Sequence, residues 1–256
     1  MATKVIEEIT HPVFDVNVLR QDFPILTEEV YGKPFTYLDS AASAQKPLQV
    51  IEAISKVYST EYSNVHRGVH YMSQKATDAM EEAREKIKSF VNASSIREII
   101  FVRGATEGIN LVASSWGRRN LSAGDEIILT MLEHHSNIVP WQLIAEEVGA
   151  VLKVVPIDRD GVLDMDTYSN LLSNKTKFVA VTHVSNALGT ILPVTELIRL
   201  AHERGAKVLV DGCQAAPHMK IDVRALDADF YVLSGHKIYG PSGIGILYGK
   251  EKLLEA

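Results

Sequence analysis

The sequence predicts an α/β fold, a mostly parallel sheet of about seven strands with helices on both faces, preceded by a short helical arm. Three observations predict it. Short apolar runs rich in Val and Ile recur at 98–102, 126–130, 151–155, 178–182, 207–210, 230–233 and 244–248. Most of them do not alternate cleanly with polar residues, which is how strands buried on both faces read. Segments of helical periodicity lie between them, at 106–116, 137–148, 166–172 and 195–204, as right-handed crossovers require.

From the start of the chain, the first 14 residues read as a loose arm, since His11-Pro12 breaks a helix. A short helix follows over 15–22 and stops at Phe23-Pro24. Small and polar residues at Asp39-Ser40-Ala41-Ala42-Ser43 mark a tight turn. Helical spacing returns over 48–58 and 73–92, where Ala76, Ala79, Met80, Ala83, Ile87 and Val91 form one apolar stripe opposite Glu and Lys. After the last strand about eight residues remain, with no closing element expected.

Composition narrows the function classes. The chain has 256 residues, 46% hydrophobic and 23% charged, too apolar for a disordered protein. The longest apolar runs, such as 178–181, fall far short of the roughly 18 residues of a membrane span. A net charge of −6 and a pI near 5.9 argue against binding nucleic acid through bulk charge. A lone cysteine, Cys213, fits a reducing compartment, and residues 1–8 show no signal peptide, so a cytoplasmic protein is expected.

Ligands of open α/β sheets bind beyond the carboxyl ends of the strands. Beyond 98–102 comes Arg103-Gly104-Ala105-Thr106-Glu107-Gly108, a glycine turn feeding a helix whose free N–H groups suit an anion. The plainer reading is that Thr106 caps that helix. The Walker and GxGxxG patterns are both absent, which disfavours nucleotide hydrolysis and dinucleotide binding. Beyond 126–130 lie His134 and His135. They lack metal-ligand spacing, and as consecutive residues they diverge, so one of them faces a site or both cap a helix. Asn186 follows 178–182 as a site residue or a turn residue.

Asp211 ends an otherwise apolar strand. A buried carboxylate is costly, so it is expected to face a cation or a protonated ligand nitrogen. Cys213 reads better as a buried structural cysteine than as a nucleophile. Lys237 follows 230–233 directly, held by a Gly/Pro-rich loop, as a desolvated amine or an ordinary loop lysine. Taken together, an anion cradle, an acid for a pyridinium nitrogen and an imine-forming lysine are the three parts that pyridoxal phosphate needs.

The chain resembles the fold-type I pyridoxal-phosphate enzymes of the class V aminotransferase group, and within them the SUF-type (group II) cysteine desulfurases. The stretches that carry the resemblance are YLDSAASAQKP (37–47), NVHRGVH (64–70), FVRGATEGINLVASSWG (101–117), EHHSNIVPWQ (133–142), THVSNALGT (182–190), KVLVDGCQA (207–215) and DFYVLSGHKIYGPSGIGILYG (229–249). The resemblance implies an arm over 1–36 and a cofactor-binding large domain over 37–256, with the family's small C-terminal domain absent from this chain.

It also implies roles. Lys237 bonds the cofactor, Asp211 pairs with its ring nitrogen, Gln214 reaches its ring hydroxyl and His134 stacks on the ring. Thr106, the Ala105 backbone, Ser234 and His236 hold its phosphate. Asn186 lies near the substrate or ring hydroxyl, and His66 near the pocket mouth. The chain departs from the family in carrying Ala105 where Thr is frequent and Cys213 where Ala is common. The implied activity is removal of sulfur from L-cysteine for iron–sulfur cluster assembly, giving L-alanine and a protein persulfide, in a homodimer served by a sulfur-acceptor protein. In that chemistry Lys237 takes the Cα proton while the Asp211-paired ring withdraws electrons. The family's nucleophilic cysteine and its carboxylate-gripping arginine lie in a region this chain does not contain. The alternatives are a selenocysteine lyase acting on L-selenocysteine, another class V enzyme such as a kynureninase-like hydrolase, or a non-catalytic binding partner that keeps the fold. The wording of EHHSNIVPW and SGHKIYGPSGIG favours the desulfurase.

Overall fold

Alternate residues of each buried strand point to opposite faces, and the two faces carry separate apolar clusters. In the computed structural model, which describes residues 14–255, Ile128, Val179, Val181, Val208, Val210 and Tyr231 pack on one face. Ile127, Leu129, Phe178, Ala180, Leu209, Phe230 and Val232 pack on the other. The first cluster is covered by Tyr168, Leu197, Ile198 and Ala201 of the helices Met165–Leu171 and Val194–His202. Ile109 and Val112 of Ala105–Val112, with Trp141 and Ile144 of Val139–Val148, cover the second. Helices therefore lie on both faces.

A small hairpin of β1 (Glu29–Val30) and β2 (Lys33–Pro34) precedes the main sheet. Its two-residue turn holds Tyr31 and Gly32 at φ of 55° and 69°, the twist that joins antiparallel strands tightly. The main strands are β3 (Ile99–Val102), β4 (Glu126–Thr130), β5 (Val151–Val155), β6 (Thr176–Thr182), β7 (Lys207–Asp211), β8 (Phe230–Ser234) and β9 (Gly245–Gly249). They run in the order β3-β9-β8-β7-β6-β4-β5. The sheet is parallel apart from β9, which pairs antiparallel with both β3 and β8. Ten residues, 235–244, join β8 to β9, too short a link for a crossover, so the chain must return antiparallel.

All seven expected strands are present, and the differences lie at their ends. The helix expected at 106–116 starts at Ala105 and gives way at Val112 to a wider π-type turn over Ala113–Gly117. The helix expected at 48–58 ends at Lys56, before a second such turn over Val57–Glu61. The helix expected at 73–92 begins at Tyr71, because His70 Nδ1 accepts from the Ser73 N–H at 3.3 Å and caps it. The expected lack of a closing element is corrected by a short helix, Glu251–Leu254, with Leu254 against Gly249. The expected break at His11-Pro12 lies outside the described residues. Asp15 caps the first helix, Val16–Gln21, through the Asn17 N–H. Among the described residues no helix is long and apolar enough to cross a membrane, and no cluster of His, Cys, Asp or Glu could hold a metal ion.

Candidate active site

Four strands end at one cavity of about 510 Å³. Asp211 closes β7 and is buried there, its Oδ1 accepting the Cys213 N–H at 2.9 Å. Ser234 closes β8, and the turn Gly235–Lys237 that follows delivers His236 and Lys237 to the cavity wall. The β3 end feeds Gly104 and the helix Ala105–Val112, and β6 ends at Thr182 on the way to Asn186.

The anion end is built by close approach. A Cβ on Gly245 would stand 2.5 Å from Gly104 Cα, so only glycine lets β9 run against the start of that helix. The Ala105 N–H donates to Ser234 Oγ at 2.9 Å. The next amides, of Thr106 and Glu107, lie in the first helical turn, where N–H groups have no intrahelical partner and attract negative charge. Gly104, not Thr106, is the N-cap residue, which corrects the plainer reading of Thr106 and leaves its hydroxyl available at the cavity.

The segment 39–46 closes one side. Ala44 N–H and Lys46 Nζ donate to the His236 carbonyl at 3.0 and 2.9 Å, and Ser43 Oγ lies 3.1 Å from His236 Nδ1. Gln214 Nε2 donates to the Ala41 carbonyl at 2.7 Å, so its Oε1 is the atom left to meet a ligand. Burial pushes the His236 imidazole below its ordinary pKa, helped by the charges of Lys237 and Lys46. Burial pushes the Cys213 thiol far up, with Asp211 adding to the effect and Lys237 opposing it. Cys213 Sγ sits 3.7 Å from Ser234 Oγ on the cavity wall, where a neutral thiol is the favoured form.

His134 caps the tight turn His135–Asn137, its Nδ1 accepting the Ser136 N–H at 3.2 Å. His134 lines the cavity and His135 does not, as diverging neighbours should. Ala105, Thr106, His134, Asn186, Asp211, Gln214, Ser234, His236 and Lys237 all line that one cavity. His66 does not. Its backbone is in the left-handed region (φ 62°), and its Nε2 lies 3.2 Å from Glu81 Oε1, which holds the ring on the long helix Tyr71–Val91. Sequence reasoning missed Asp39, Ser136 and Thr182 on the wall and the buried Glu133 behind it. The turn at 39–43 was the only available signal for Asp39.

An amine, a carboxylate, an imidazole and unpaired helix amides around one cavity are the donor set that pyridoxal phosphate requires, and the residues present fit it. Fold and site together define an α/β protein with one polar cavity at the carboxyl ends of its parallel strands. Residues 36–256 match the aminotransferase class-V family model, and the chain belongs to that family, whose members depend in general on pyridoxal phosphate. The cysteine desulfurase of Escherichia coli (strain K12) is 57% identical over 243 residues, covering 95% of this chain and 60% of that protein. Among solved structures, the E. coli cysteine desulfurase CsdA in its S-sulfonic acid form superposes with a TM-score of 0.86 at 42% identity, covering 95% of this chain and 60% of that one. The apo cysteine desulfurase of Thermococcus onnurineus NA1 gives a TM-score of 0.87 at 38% identity, covering 100% and 60%. The chain thus spans about 60% of the length of these relatives.

Proposed function

We propose that this chain is the cofactor-binding portion of a cysteine desulfurase of the SUF type, acting on L-cysteine. The observation that carries the reading is the single cavity that unites Lys237, Asp211, His134 and the first turn of the helix Ala105–Val112 in a chain 57% identical to a cysteine desulfurase. The motifs EHHSNIVPWQ and SGHKIYGPSGIG support the subgroup. In this reading residues 37–256 form the cofactor-binding unit and 1–36 an arm.

Pyridoxal phosphate, when bound, supplies an aldehyde that bonds amines and a ring that draws electrons from the substrate's Cα. Lys237 Nζ would hold that aldehyde, and its amine would be the group placed to take a proton from the substrate's Cα. The Asp211 carboxylate holds a proton on the ring nitrogen through a charge-assisted bond. The Thr106 N–H and hydroxyl, with Ser234 and His236, would bind the phosphate, beside the Ala105 N–H that Ser234 Oγ already holds. His134 packs on the ring, Gln214 Oε1 meets its hydroxyl, and Asn186 borders the substrate. Cys213 is not the sulfur-accepting thiolate, because its burial opposes ionisation. That thiolate comes from outside these 256 residues, whose only cysteine is Cys213. Exposed Leu48, Ile51, Ile54, Val57 and Tyr58 support pairing with a second copy, as expected of the family. A sulfur-acceptor protein and a role in iron–sulfur cluster assembly complete the reading.

The test is direct. Pyridoxal phosphate should give a borohydride-trapped covalent adduct mapped to Lys237 and lost in Lys237→Ala. L-cysteine should perturb the bound cofactor's absorbance more than L-serine does. Equal trapping in both proteins overturns the site. No binding at all leaves a non-catalytic protein that keeps the fold.

A further inference from the structure

Glu133 is buried directly behind His134 and does not line the cavity. Its Oε1 accepts the Thr182 N–H at 2.9 Å and bonds the Thr130 hydroxyl at 2.6 Å. Its Oε2 accepts from Asn137 Nδ2 at 2.7 Å. Asn137 is wholly buried, and its Oδ1 accepts the Trp141 Nε1–H at 3.0 Å while its own N–H donates to the His134 carbonyl at 2.7 Å. A closed ring of bonds therefore runs from Glu133 through Asn137 to the main chain of His134. The imidazole is fixed from the same turn by the Ser136 N–H. The other end of the ring is Thr182, the β6 residue that lies in register with Asp211 on β7.

Resting on the reading of the cavity as a pyridoxal-phosphate site, we propose that Glu133 is a positioning residue that locks the His134 imidazole over the cavity. A carboxyl is a costly group to bury, and among the described residues Glu133 has no salt-bridge partner. The groups around it are the Thr130 hydroxyl, the Asn137 amide and the Thr182 N–H, with the Asp211 charge the nearest ionic influence on it. Thr130, Asn137 and Thr182 belong to the end of β4, the turn at 135–137 and the end of β6. A buried, fully engaged acid specifies one arrangement of those three elements, where an apolar residue would let the turn slide.

A glutamine at 133 presents an NH2 to the Asn137 NH2, and Asn137 cannot flip without losing Trp141. In 15N-labelled apo-protein, Glu133→Gln should move the His134 ring resonances well outside their linewidth and leave those of His202 and His218 in place. In the cofactor-loaded protein it should weaken pyridoxal phosphate binding several-fold and change the induced circular dichroism. In a His134→Ala background the same substitution should add nothing further. Should Glu133→Gln fail to fold, Asn137→Ser breaks the same ring while keeping the acid, with the same expectations. Unmoved His134 resonances, or losses that simply add in the double variant, overturn the proposal. Failure of the wild type to bind the cofactor overturns the functional reading alone, since the apo-protein resonances still decide the role of Glu133.

Discussion

The Ala105 N–H donates to Ser234 Oγ at 2.9 Å, tying the first turn of one helix to the end of β8, three residues before Lys237. Both residues are buried, so the bond sets the distance between the anion end and the amine of the site. Ser234→Ala leaves the Ala105 N–H without a partner and should cost about 1–3 kcal/mol of stability. It should also weaken pyridoxal phosphate binding. Urea unfolding of the apo-protein and a cofactor titration check the two effects.

Asp211→Asn should separate cofactor function from folding. Asparagine Oδ1 can still accept the Cys213 N–H, so stability should change by no more than about 1 kcal/mol. In the proposed reading, what is lost is the negative charge that would face the cofactor's ring nitrogen. Absorbance of the bound cofactor should change while thermal unfolding hardly moves. An unstable variant whose folded fraction keeps a normal spectrum would make Asp211 a structural acid.

Cys213→Ala should be nearly silent. The side chain is small, and its removal leaves a minor void costing about 1 kcal/mol. Because burial and the neighbouring Asp211 hold the thiol protonated, the native protein should also resist alkylation that the unfolded chain undergoes readily. Rapid labelling under native conditions would contradict this placement.

Glu133 gives a pH signature. Burial raises its carboxyl from the usual 4.5 to about 8, against the pull of its hydrogen bonds from Thr130, Asn137 and Thr182. The folded state therefore binds a proton that the unfolded state releases, and stability falls as pH climbs from about 4.5 through about 8. Chemical denaturation at pH 6 and pH 9 should show wild type losing stability relative to Glu133→Gln across that window. Parallel profiles for the two proteins would place the ionisation elsewhere.

Much of the architecture was legible along the chain. Runs buried on both faces cannot alternate in polarity, so β4, β6, β7 and β8 announced themselves as parallel strands, and an acid ending β7 beside a lysine after β8 already suggested the chemistry. The order in which the strands stack and the antiparallel return of β9 are set by linkage length and long-range pairing, which no local window contains. The same holds for the site. Lys237, Asp211 and the first turn at Ala105 could be named from residue type and position at strand ends. Only tertiary structure turned His66 toward Glu81, left Gln214 with one free amide oxygen, and put Glu133 behind His134. A side chain's partners depend on which elements converge in space, and hydrogen bonds and burial act across distances that sequence separation does not record.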